Sequence, residues 1–135
     1  MHVENIMKES VHCVSPEITL AELRKIFSEV SYHHLLVAEE GTLLGVISDR
    51  DVLRMSSPFI DTVNATPQDQ SLLGTPAKDI MTTALITVKK DTLIDAAAIL
   101  LLEHNISCLP VVSRNGGVEG ILTWKDMLKY YVYIH

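Results

Sequence analysis

One seven-residue pattern is written twice in this chain, as Gly45-Val46-Ile47-Ser48-Asp49-Arg50-Asp51 and as Gly120-Ile121-Leu122-Thr123-Trp124-Lys125-Asp126. Each copy has a glycine, two apolar residues, a hydroxyl side chain able to cap a helix and, three residues later, an aspartate. That order predicts a strand running directly into a helix, with Ser48 or Thr123 at the junction. Unpaired backbone N–H groups and the positive end of the helix dipole at such a junction can hold an anion. Ser48-x-x-Asp51 and Thr123-x-x-Asp126 also have the spacing of a capping box, in which hydroxyl and carboxylate serve only the helix backbone. Local sequence leaves both readings open.

His33-His34 is the other cluster with chemical potential. Neighbouring strand residues point to opposite faces, and no cysteine or carboxylate stands at ligand spacing, so the pair does not read as a metal site. Two alternatives stay open: one histidine facing a cleft as a phosphate contact, or both packing on the strand. Cys13 and Cys108 are far apart and read as buried thiols in a reducing compartment. The sequence holds no acid/base pair, nucleophile–base spacing, Walker loop, zinc motif or recognisable triad, so an enzyme is poorly supported.

The motifs close two matched units. Ile6-Met7 and Ile80-Met81 open them, followed by β-branched stretches from Val11 to Val14 and from Leu85 to Val88. Thr19-x-x-Glu22 and Thr92-x-x-Asp95 predict capped helix starts. Leu20, Leu23, Phe27 and Val30 then form one apolar stripe, while Leu93 to Leu102 is apolar nearly all round and predicts the more buried helix. Strands from Leu35 to Ala38 and from Leu109 to Val112 come next, each followed by a turn and by the strand that enters the motif. The period is about 74 residues, read from Met7 to Met81 and from Leu35 to Leu109. The fold class expected is α/β (α+β), with pseudo-symmetric repeats at 1–55 and 77–135 and a solvated connector at 56–76. Each repeat is a small sheet with two helices, and one unit cannot cover its own apolar sheet face, so two copies should pack together. Within the connector, Thr66-Pro67 predicts a short helix that stops at Gly74.

At 135 residues the chain has no room for a separate catalytic domain. A net charge of -6, with eleven scattered Lys and Arg, argues against nucleic acid as a partner. The longest apolar run, Ala96 to Leu102, is far short of a bilayer span, and no signal pattern opens the chain. A soluble cytoplasmic protein with no membrane partner is therefore expected.

The doubled motif in register, the Ile-Met openings and Leu109-Pro110-Val111-Val112 together make the chain resemble a tandem pair of CBS domains, or Bateman module, over almost its whole length. The first half departs in having Leu36 where the second has Pro110. The resemblance implies clefts between the halves that hold AMP, ADP, ATP or S-adenosylmethionine as regulatory ligands, with no required cofactor. Carried over by position, Asp51 and Asp126 accept hydrogen bonds from ribose hydroxyls, Ser48 and Thr123 contact phosphate, and Arg50 and Lys125 face it. The first cleft would draw further on His34, Thr82 and Ile86, and the second on Cys108, His12 and His33.

A carboxylate offers two acceptor oxygens to the two donors of a vicinal diol, which suits both aspartates to ribose. Arg50 brings a planar fork against the single ammonium of Lys125, and His34 stands where the second half has Cys108. The first cleft is therefore expected to be the better phosphate site, with His34 in its ordinary titration range. The implied function is a small-molecule sensor that acts through a homodimer or an effector protein. The alternative is a ligand-free pair used for dimerisation or interaction.

Overall fold

The computed structural model describes residues 1–56 and 65–133, so connector residues 57–64, read from sequence as solvated chain, lie outside the described residues. The chain divides into two compact units that do not follow its sequence halves. One comprises Cys13–Glu39 and Leu44–Ala84 and carries the first motif; the other comprises Met1–His12, Glu40–Leu43 and the chain from Leu85, and carries the second.

In the first-motif unit the order is β1 (Cys13–Val14), α1 (Leu20–Glu29), β2 (His34–Glu39), β3 (Thr42–Ser48), α2 (Asp49–Met55) and α3 (Pro67–Ser71). The sheet order is β1-β2-β3, and β1 runs parallel to β2 with Val14 opposite Val37. Helix α1 crosses between these parallel strands. Thr19 caps it, its hydroxyl oxygen accepting the Glu22 N–H at 3.3 Å. The apolar stripe of α1 buries Leu20 and Leu23 fully, against Val14, Leu35, Val37, Ile47, Val52 and Ala77. The β2–β3 turn places Glu40 and Gly41 at φ 52° and 81°, the left-handed pair that a tight hairpin needs. Thr66, Pro67 and Asp69 start α3 with a reciprocal capping box, and a 3₁₀ turn ends the segment at Gly74, as the connector sequence predicts.

The second-motif unit contains α4 (Ile94–Glu103), β4 (Cys108–Val112), β5 (Val118–Thr123) and α5 (Trp124–Tyr133). Strands β4 and β5 are antiparallel, with Cys108 opposite Thr123. Val111 faces Gly120 whereas Val112 faces Val118, so Glu119 is an extra residue that bulges β5. The core gathers Val3, Val88, Ile94, Ala97, Leu101, Leu109, Val111, Leu122 and Met127.

Two expectations are corrected here. The stretch from Leu85 to Val88 is not a strand but a single bridge, Val88 to Val111, whereas the matching β1 pairs over two residues. Val88 donates to Pro110 O and accepts from Val112 N–H. Extending that parallel ladder one step back requires an N–H from Pro110, which proline lacks; Leu36, at the matching place in β2, has one. Thr92 does not cap α4, since its hydroxyl accepts the Lys89 N–H at 3.0 Å and closes the preceding turn, leaving Leu93 as the cap residue. Helix α4 buries Ile94, Ala97 and Leu101 where α1 buries Leu20 and Leu23, so it is the more buried of the two as expected, although Ile99 and Leu102 are exposed.

The two Ile-Met openings are exchanged between the sequence halves. Lys8 trades both backbone hydrogen bonds with Ile121 of β5, each 2.9 Å, and Thr82 does the same with Val46 of β3 at 3.0 and 3.1 Å. The opening of each repeat thus adds to the motif strand of the other, one in each compact unit. Val3 is carried with the first opening into full burial, donating its N–H to Thr92 O at 2.8 Å.

Candidate functional site

The first motif forms where β3 passes into α2 without an intervening residue. Ser48 N–H donates to Asp51 Oδ2 at 2.8 Å, and Asp51 N–H donates to Ser48 Oγ at 3.1 Å. The other carboxylate oxygen, Oδ1, accepts from Arg54 Nη2 at 3.3 Å, one helical turn on. Thr82 stands on the exposed edge beside Val46, two residues before Ser48. His33 meets Asp49 through Nδ1 and Oδ2 at 2.7 Å, while Asp49 N–H donates to His33 O at 3.0 Å. That pairing commits His33 to the first-motif helix start. His34, half-buried at the start of β2, does not keep an ordinary histidine pKa. Burial pushes it down, Asp49 opposes that, His33 and Arg50 add to it, and Asp51 again opposes. Arg50 itself is exposed.

The second motif repeats the geometry at the β5–α5 junction. Thr123 N–H and Thr123 Oγ1 both donate to Asp126 Oδ2, at 2.9 and 3.0 Å, and Asp126 N–H donates back to Thr123 Oγ1 at 3.4 Å. Asp126 is buried, only 8% exposed, and its Oδ1 faces Lys8 Nζ at 3.6 Å. Trp124 replaces Asp49 at the head of the helix and donates its N–H to Ser107 O at 3.1 Å. Cys108, across the ladder from Thr123, is buried, and desolvation pushes its thiol up to about 12. Cys13, by contrast, is exposed, against the expectation that both thiols are buried. Lys125 is exposed.

The structure sorts the residues marked in the sequence by unit. His33, His34, Ser48, Arg50, Asp51 and Thr82 share the first-motif unit; His12, Ile86, Cys108, Thr123, Lys125 and Asp126 share the other. His12 is half-buried, and Ile86 packs partly buried against the second core. Among the described residues no group of three or more His, Cys, Asp or Glu is placed to hold a metal ion, and no described helix is long and apolar enough to cross a membrane.

Capping occupies only one oxygen of each motif carboxylate. In each motif Oδ2 serves the helix backbone, and Oδ1 faces a cation, so a capping box leaves one carboxylate oxygen directed elsewhere. Lys8 is the residue that motif reading misses. Its signal lies in the repeat alignment, where Ile6-Met7-Lys8 matches Ile80-Met81-Thr82 and puts an ammonium where the other half has a hydroxyl.

A family model described as CBS domain matches residues 3–57 and 77–133. Among curated proteins, inosine-5'-monophosphate dehydrogenase of Bifidobacterium longum is 33% identical over 118 residues, which cover 86% of this chain but only 19% of that protein. A solved structure of CBSX2 in complex with AMP has a TM-score of 0.82 at 29% identity, with 98% of this chain and 97% of that chain covered. The CBS domain pair of protein MJ0100, in complex with 5'-methylthioadenosine and S-adenosyl-L-methionine, has a TM-score of 0.79 at 26% identity, with 97% and 95% covered.

Proposed function

Since this chain belongs to the CBS-domain family, we propose that it is a regulatory module that binds an adenosine-containing ligand at its Ser/Thr-x-x-Asp motifs. One observation carries the reading: both units build the same junction, with a carboxylate fixed by its own helix start and its second oxygen, Oδ1, turned to a cation. Such an oxygen is a pre-oriented acceptor for a ribose hydroxyl, since the capping bonds hold the carboxylate in place before a ligand arrives. Ser48 and Thr123, with Arg50 and Lys125, are the groups we assign to the ligand's phosphate end. The AMP complex of CBSX2 and the 5'-methylthioadenosine and S-adenosylmethionine complex of MJ0100 support this ligand class.

The proposed working form is a cytoplasmic homodimer that transmits occupancy to an effector protein. Leu93, Ile99 and Leu102 around α4, with Leu128 and Val132 on α5, are exposed apolar side chains on helices of one unit and support a protein contact there. The deciding experiment is a thermal-shift and calorimetric panel of AMP, ADP, ATP, S-adenosylmethionine and 5'-methylthioadenosine. A ligand present at 100 times its dissociation constant adds about 2.7 kcal/mol of stability. Binding of none of them, together with a stable dimer in sedimentation, would leave the ligand-free interaction module as the function.

A further inference from the structure

Resting on the adenosine-binding reading above, we propose that Lys8 sets the ligand class of the Thr123–Asp126 motif and restricts it to adenosine ligands that carry a phosphate. Lys8 reaches this motif from the far end of the sequence. Its backbone is locked to Ile121 by two hydrogen bonds, so only its side chain is free to move. Its ammonium lies 3.6 Å from Asp126 Oδ1, the oxygen that the capping bonds leave for a ligand.

A ribose hydroxyl that donates to Oδ1 takes the place of that ammonium. Lys8, 56% exposed, can then turn to water, but buried Asp126 has exchanged a charged partner for a neutral hydroxyl. A ligand phosphate gives the displaced ammonium a new anion within the same complex. A nucleoside without phosphate leaves it to water alone, and the charge pairing lost by Asp126 is only partly made up.

Local charge points the same way. The segments that form this motif carry three lysines, Lys8, Lys125 and Lys129, against two carboxylates, Asp126 and Glu9, and only Lys8 pairs with Asp126; Trp124 at the helix start is neutral. At the first motif Arg50 and Arg54 are matched by Asp49 and Asp51, and Thr82 occupies the place of Lys8. The Asp49 carboxylate is held by His33 and that of Asp51 by Arg54, so the first motif carries as many carboxylates as guanidinium groups. The positive excess belongs to the second.

The test measures AMP and adenosine side by side on the full chain, as wild type, Lys8→Thr and Lys8→Arg. Trp124, the chain's one tryptophan, lies inside the motif and reports its occupancy by fluorescence. Threonine already stands at the matching position 82 in the same backbone pairing, so Lys8→Thr should keep the fold, which circular dichroism checks. The expected result is that Lys8→Thr weakens AMP by about ten-fold while adenosine holds or tightens, and that Lys8→Arg restores AMP. Equal changes for both ligands, AMP indifferent to Lys8, or AMP bound without a Trp124 signal would each overturn the role of Lys8 and leave the module reading standing. Failure of every adenosine compound to bind wild type would bring down the module reading itself, and this proposal with it.

Discussion

Met81 lies directly on Gly45, its Sδ 2.5 Å from where a methyl group on that glycine would stand. Met7 covers Gly120 in the same way at 2.8 Å, joined there by the backbone oxygen of Lys8, also at 2.8 Å. The motif glycines are therefore required by the chain's own opening segments, and the openings do more than begin a repeat.

That difference in neighbours gives opposite rescue behaviour. Gly45→Ala and Gly120→Ala should each destabilise by about 1–3 kcal/mol through overpacking. Met81→Ala should recover part of the first loss, because the obstacle is a side chain. Met7→Ala should not recover the second, because the Lys8 carbonyl remains and is held by its bond from Ile121 N–H. Urea melts of the four single and two double variants decide it, and equal rescue in both pairs would contradict the geometry.

Substitution of the motif aspartates should separate capping from recognition. Asp126→Ala leaves the Thr123 N–H without its acceptor at a half-buried junction and should cost about 1–3 kcal/mol. Asp51→Ala should cost less, since Ser48 is held by fewer bonds to it and Asp51 is more exposed. The Asn variants keep an acceptor oxygen, so they should retain most of the stability while losing nucleotide affinity. Parallel melting and calorimetry would detect the opposite pattern.

Acid should weaken the first-motif unit through His34. Its folded pKa lies below that of an unfolded histidine, about 6.5, chiefly because it is buried. Above that value both states are neutral and the full stability is present. As pH falls through about 6.5 the unfolded chain takes up a proton that the folded chain refuses, and stability is lost until the folded group titrates too. Melting temperature should drop between pH 7.5 and 5.5, and His34→Gln should flatten the slope. An unchanged slope in the variant would assign the loss to other groups.

The two thiols should report local opening. Cys13 is exposed whereas Cys108 is buried, with its thiol held up to about 12. A disulfide reagent at pH 8 should modify Cys13 first and reach Cys108 at a rate set by unfolding of β4. Urea should bring the two rates together, and rapid modification of both in native buffer would mean that β4 opens easily.

Much of this architecture is legible in the sequence. The junctions at Ser48 and Thr123 followed from hydroxyl and carboxylate spacing, and the α3 start from Thr66-Pro67, because caps are written in the few residues that make them. The exchange of openings could not be read. A 74-residue internal period aligns Met7 with Met81, and that alignment is the same whether Met7 covers Gly45 or Gly120. Pro110 departs from Leu36 in the sequence, but its effect depends on Val88 lying beside it, which the sequence does not show. Thr92 has the right spacing for a cap, but its hydroxyl accepts the Lys89 N–H instead. Lys8 escaped notice because its contact with Asp126 spans nearly the whole chain.

The exchanged openings also fix an order of assembly as the chain leaves the ribosome. Everything the first-motif unit uses has emerged by Ala84. The other unit must hold Met1–His12 in reserve until β5 is made, since Lys8 pairs with Ile121, more than a hundred residues later. Long-range pairing of this kind is slow to form. Val3 and Met7 thus wait for partners, Thr92 and Gly120, that are made far later in the chain. In a nascent chain they form the exposed segment most open to capture by a chaperone or by a neighbouring copy.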